Sequence, residues 1–124
     1  MKIRLDPLDI LFSKMIRLRA GDKCEYCGIV TKSLQCSHFH GRRKLATRYD
    51  LDNAAGLCFG CHMFLGENPF VHTEWFKRRL GSERFEQLNI RANTIVRMSK
   101  TDKENLKKEL QVKIKAMEDN DGKQ

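Results

Sequence analysis

Apolar residues recur at helical spacing over much of this chain and alternate like a strand over one short stretch. Asp6-Pro7 pairs an N-cap acid with proline at the first helical position. Leu8, Leu11, Met15 and Leu18 then follow at three- to four-residue intervals, and Gly21 supplies a stop. Thr31-Lys32-Ser33 reads as a turn before a partly alternating run, Leu34 to Phe39, which predicts a hairpin strand. Gly41 to Asp52 is polar and basic and predicts a loop. Asn53-Ala54-Ala55-Gly56-Leu57 leads on to a short helix from about Gly60 to Leu65, ended by Gly66-Glu67-Asn68-Pro69. Pro69 opens a helix whose apolar side is Phe70, Val71, Trp75, Phe76 and Leu80, stopped by Gly81. Ser82, Phe85 and Leu88 begin another, with Glu83 in its first turn. Thr101-Asp102-Lys103-Glu104 matches a capping box for a last helix through about Met117, striped by Leu106, Leu110, Ile114 and Met117. Asp119 to Gln124 has no apolar residue and is expected to fray.

Size and charge narrow the picture. With 124 residues and no linker or repeat, one domain is expected, with only a modest core of its own. No long apolar run and no secretory leader are visible, so a soluble, cytoplasmic protein is expected, with no membrane partner. The formal charge of +8 and a pI near 9.4 point to nucleic acid as partner, with clusters at Arg42-Arg43-Lys44 and Lys77-Arg78-Arg79. A solvated basic surface is the plainer account of those clusters. Five cysteines in such a chain indicate metal ligation rather than disulfides.

Four of the five form two CxxC pairs, Cys24/Cys27 and Cys58/Cys61, which can close one tetrahedral zinc site and clip the intervening segment into a loop. Packing of thiols as small hydrophobes explains two matched pairs poorly. Cys58-Phe59-Gly60-Cys61-His62 also spells a c-type haem attachment motif, but that reading needs export and leaves Cys24 and Cys27 without a role. Cys36 is the spare and is expected in the core. His38 and His40, two apart at a strand end, should share a face, with His62 on the following helix pointing back across it. That layout would suit a divalent metal with a general base beside it. Trp75 is expected in the core rather than as a stacking surface.

The stretch LQCSHFHGRRKLATRYDLDNAAGLCFGCHMFL, Leu34 to Leu65, resembles the HNH nuclease family, closest to small phage HNH proteins of the NinG recombination type. The resemblance implies an α+β fold: a small ββα-metal core with zinc knuckles and flanking α-helices. The expected layout is an N-terminal helix over 1–22, a zinc-clipped core over 23–67, a helical extension over 68–118 and a tail over 119–124. It also implies that His38 is the general base, that Asn53 holds the loop and orients the base, and that His62 ligates the catalytic metal, while the four paired cysteines hold structural zinc. Many members place Asp just before the first histidine as a metal ligand; Ser37 stands there in this chain. The second ligand is then His40 or His72, with Asp50 or Asp52 weaker, and His38 and His40 could exchange roles. The implied activity is metal-dependent hydrolysis of DNA phosphodiesters inside a phage-infected or bacterial cell, with Mg or Mn at the catalytic site, although Zn or Ni would also suit imidazole. Arg42, Arg43, Lys44 and Arg48 are the candidate phosphate contacts. One rival is a non-catalytic zinc-containing DNA-binding protein of phage recombination or packaging. Another is a protein-interaction adaptor docking through the helices after Asn68. A homodimer remains open, since the last apolar stripe could serve it or pack within the monomer.

Overall fold

Asp6 caps the first helix, α1 (Pro7–Ala20), through a reciprocal pair of bonds: its carboxylate accepts from the Asp9 amide at 2.9 Å, and the Asp9 carboxylate accepts from the Asp6 amide at 2.9 Å. Gly21, at φ +62°, ends the helix in the left-handed conformation that glycine adopts without strain, and its N–H closes onto the Arg17 and Leu18 carbonyls. This computed structural model describes residues 6–121.

A knuckle follows, turning at Gly28 (φ +81°), and leads into β1 (Gln35–His38). That strand pairs antiparallel with β2 (Ala54–Leu57), Gln35 opposite Leu57 and His38 opposite Ala54. The connection between them contains a single helical turn, α2 (Leu45–Arg48), and a 3-10 turn at Leu51–Asn53. Four helices complete the described chain: α3 (Phe59–Glu67), α4 (Pro69–Leu80), α5 (Ser82–Ala92) and α6 (Lys100–Asp121).

The hairpin is a partition between two cores. One face carries Cys36 and Ala54 against α1 and α6, where Leu8, Phe12, Met15, Ile16, Leu110 and Ile114 are buried. The opposite face carries Ala55 and Leu57 against Leu34, Leu65 and Phe76, closing over α3, α4 and the knuckle. Side chains alternate across a strand, so register alone assigns each residue to one core. Gly56 shares the α1 side, and a Cβ there would stand 3.1 Å from the Ala20 Cβ; the close approach of α1 to the sheet requires a small residue.

Several elements differ from the sequence expectation. The predicted 41–52 loop holds α2 and the 3-10 turn, because Thr47 and Asn53 are buried there and their backbone must find partners. Ala54-Ala55-Gly56 has little strand propensity, yet pairs as β2, since burial on both faces outweighs it. The last helix begins two residues early: Ser99 and Asp102 form its capping box at 2.9 and 3.0 Å, in place of Thr101 and Glu104. It then continues to Asp121 through the start of the segment expected to fray; residues 122–124 lie outside the described chain. No helix among the described residues is long and apolar enough to cross a membrane.

Candidate functional site

The two CxxC pairs come together. Cys24 and Cys27 sit on the knuckle, Cys58 stands at the N-cap of α3, and Cys61 lies in its first turn. Their sulfurs all lie within 4.8 Å of one another, and Cys27 and Cys58 are 3.8 Å apart. A tetrahedron with zinc–sulfur bonds of about 2.3 Å requires sulfurs about 3.8 Å apart, so these residues could hold a metal ion such as zinc. Their electrostatics agree. Burial opposes ionisation of Cys24, but the amides of Cys27, Cys58 and Tyr26 hydrogen-bond its sulfur and bring its pKa to about 6. Burial, together with the neighbouring sulfurs of Cys27, Cys58 and Cys24, pushes the Cys61 thiol far above its ordinary value. A cation among them would offset this mutual repulsion and let all four ionise as ligands.

The histidines are arranged differently from the expected face-to-face pair. His38 occupies the same face of the hairpin as Cys36 and Ala54, with its ring 5.6 Å from that of Phe12. His62 belongs to α3, on the other side of the hairpin, and the charge that His72 feels comes from it. His40 lies beyond the strand end, its Nε2 2.8 Å from Asn89 Oδ1 on α5. Strand alternation is the reason: His38 follows Cys36 onto the α1 core, whereas α3 covers the face of Ala55 and Leu57. Among the described residues the four cysteines are the one group of three or more metal-ligating side chains so closely placed. Two of the histidines, His40 and His72, nevertheless pack against one ring, that of Phe39. His38 and His40 flank Phe39 in the chain, and the Phe39 ring lies 5.4 Å from His72 and 4.8 Å from His40.

Hydrogen bonding sets the chemistry of each ring. His38 Nε2 is 2.8 Å from the Arg48 carbonyl, which can only accept, so the proton sits on Nε2 and the lone pair on Nδ1. That Nδ1 is buried without a partner, as are His62 Nδ1 and His72 Nε2. Burial lowers the pKa of His38 against the opposing pull of the Arg48 carbonyl, and it lowers that of His72, aided by the charge of His62. Asn53, fully buried, accepts from the His40 amide at 2.8 Å and donates to the carbonyls of His40 and Thr47 at 2.9 and 3.0 Å. It therefore fixes the path of the basic segment and the backbone of His40 rather than the ring of His38.

The candidate phosphate contacts divide. Arg43 and Lys44 are exposed, with Lys44 Nζ 3.2 Å from Asn93 Oδ1. Arg42 is half-buried, 3.9 Å from Asp9. Arg48 is held in a two-pronged pair with buried Asp9, at 3.0 and 2.6 Å, so its guanidinium serves the fold and its carbonyl orients His38. Cys36, expected in the core, is half-buried beside Ser13, and burial raises its thiol pKa. Trp75, also expected there, packs partly into the second core and partly lines a surface cleft.

Sequence reasoning missed three participants. Asp9 was hidden inside an apolar stripe, and its only sequence signal is its place three residues after the N-cap. Asn89 had no signal. Glu25, inside the first CxxC, accepts from Arg19 at 2.8 Å, Arg79 at 3.1 Å and the Gly56 amide at 2.7 Å. This knot ties the knuckle to α1, β2 and α4, and it removes Arg79 from the basic run that Lys77 and Arg78 expose.

No protein-family model matches this chain, and neither does a curated protein or a solved structure.

Proposed function

We propose that the protein is a metal-dependent DNA endonuclease of HNH type, with a ββα-metal core secured by structural zinc at the four cysteines and His38 as general base. The observation that carries this reading is the state of His38: an imidazole with its proton committed to a backbone carbonyl and its second nitrogen buried with an unpartnered lone pair. Burial keeps the ring neutral near pH 7, the form a base needs. The proposed reaction requires a water to reach the buried Nδ1, on the opposite face of the hairpin from His62; there Nδ1 removes a proton from the water attacking phosphorus, and the Arg48 carbonyl steadies the imidazolium that results. Exposed Arg43 and Lys44 hold the phosphate backbone. Asn53 keeps their segment in place. The orphaned nitrogens of His62 and His72 are suited to hold a divalent ion, with His40 the other candidate ligand. When bound, Mg or Mn, or Zn or Ni on imidazole, would stabilise negative charge on the phosphate and the leaving oxygen.

The test is to mix purified protein with supercoiled plasmid and Mg or Mn, comparing wild type with His38→Ala. Wild type should cut, and the variant should lose about 10²- to 10⁴-fold in rate, the range for a lost acid–base group. If both proteins bind DNA and neither cuts any form of it, the nuclease reading fails.

A second reading, a zinc-containing DNA-binding module without catalysis, draws on two observations. Ser37 occupies the place of the usual acid and is buried, and His38 Nδ1 is sealed from solvent. The same experiment separates the two.

A further inference from the structure

On the side of the molecule formed by the knuckle and α4, a cleft of about 320 Å³ is lined by Tyr26, Phe70, Val71, Glu74, Trp75 and Arg78. Its volume is at the small end for ligand sites. Its walls are unusual for an exposed surface. Phe70 is 77% exposed and Tyr26 37%, and neighbouring Phe64 is 45% exposed. The Tyr26 ring stands edge-on to Trp75 at 5.2 Å and lies 6.2 Å from Phe64. Scattered apolar residues need no explanation, but a run of aromatic rings round one concavity does.

We propose that this cleft is a stacking subsite for an unpaired base of a single-stranded nucleic acid, separate from the hairpin-end histidines. The inference deepens the nuclease reading by naming a feature of its substrate, and it rests on that reading only in assuming a nucleic-acid partner. Charge complementarity selects the occupant. Arg78 stands in the cleft wall and Lys77 beside it, both exposed, and neither is paired with a carboxylate among the described residues. A base bound here arrives with a phosphate for those cations and a flat π-face for the rings. Glu74, the one acid in the wall, offers an acceptor for an exocyclic amino group. A purely apolar peptide would leave both cations unanswered.

Access fits the same occupant. Pro69 starts α4, so Phe70 projects from the first turn of a helix, and positions 70, 74 and 78 recur four apart along one stripe. Phe76 and Arg79 turn the other way, into the second core and the Glu25 knot. One helix thus separates a structural face from an exposed face with no helix or strand packed on it among the described residues.

Trp75 is the only tryptophan in the protein, so its fluorescence reports on this cleft. The experiment titrates the full chain at low salt with a single-stranded DNA of about 12 nucleotides, within the range of known single-strand sites, and with the matching duplex. Phe70→Ala is the main variant; its exposure makes misfolding no obstacle, and circular dichroism checks it. The single strand should quench Trp75. Phe70→Ala should weaken single-strand binding by about 5- to 150-fold, the range for one lost base stack, and leave duplex affinity unchanged. Arg78→Ala should flatten the salt dependence of single-strand binding by about 0.7 in logarithmic slope, one phosphate contact. Val112→Ala, 70% exposed on α6 and outside the cleft, should alter neither affinity. Absence of quenching, equal loss with Val112→Ala, or a Phe70→Ala protein that binds single strands like wild type would each overturn the subsite. Quenching by an uncharged aromatic peptide but not by DNA would assign the cleft to a protein partner and overturn it as well. Failure to bind DNA of any form would remove the nuclease reading too, whereas retained duplex binding with a silent Phe70→Ala would remove the subsite alone.

Discussion

Asp9 shows how much can depend on one side chain. It is 2% exposed, yet its carboxylate caps α1, grips Arg48 through two bonds and faces Arg42. Through Arg48 it holds the carbonyl that fixes the His38 tautomer. Replacing it with asparagine leaves a guanidinium partly buried without its counter-charge, a loss of about 3–5 kcal/mol for a broken buried pair. Burial raises the Asp9 pKa, but bonds from Arg48 and the Asp6 amide, with the charges of Arg48 and Arg42, outweigh it and leave the pKa below the ordinary 3.8. Because the folded value is the lower one, the stabilisation is complete above pH 3.8 and is lost as pH falls below it. Urea melts of wild type and Asp9→Asn should therefore differ most at neutral pH and converge in acid. A gap that stays constant down to pH 2 would contradict this account.

Among the elements, α6 carries the clearest consequence. Its stripe of Leu106, Leu110, Ile114 and Met117 was legible as helical periodicity, but nothing in that periodicity says what it covers. In the fold it lies along α1, against Leu8, Met15 and Ile16, so the stripe is used within the monomer. Leu110 is 2% exposed. Leu110→Ala should cost about 2–5 kcal/mol, the range for truncating a buried leucine, and should lower the melting temperature without changing metal content. A neutral effect on thermal unfolding would show that α6 is not docked on α1. The hairpin teaches the opposite lesson: β2 is built from Ala-Ala-Gly, too small to announce a strand, and exists because both of its faces are covered.

For the whole molecule, the four-cysteine cluster joins chain segments more than thirty residues apart and sits at the edge of the second core. Bound metal at such a site adds directly to folding free energy. Purified protein should carry one tightly held ion per chain. Cys58→Ser should lose it and unfold at lower temperature, as should wild type after strong chelation, while His62→Ala should keep it. Elemental analysis beside thermal melts checks all three, and a Cys58→Ser protein with unchanged metal content would exclude the cluster as the site. The α1–α6 core has no cysteine ligand in it, so part of the helical signal should survive chelation.

Local pattern was enough for what local physics controls. Asp6-Pro7 and Gly21 delimit α1 and Pro69 and Gly81 delimit α4, because caps and breakers act over a few residues; the two CxxC pairs each carry a local ligand spacing whose match predicts that they meet. Asn53 is singled out by the family resemblance rather than by local pattern, as holding the loop and orienting the base; its hydrogen bonds go to the backbone of His40 and Thr47. What no local pattern contains is which face of a strand meets which helix. Strand register sends His38 to the α1 core, and helix packing brings His62 within electrostatic reach of His72. Long-range ion pairs draw Arg48 and Arg79 inward from segments that read as solvated basic runs. Those outcomes depend on contacts between residues tens of positions apart, and only the closed tertiary structure brings such residues within reach of one another.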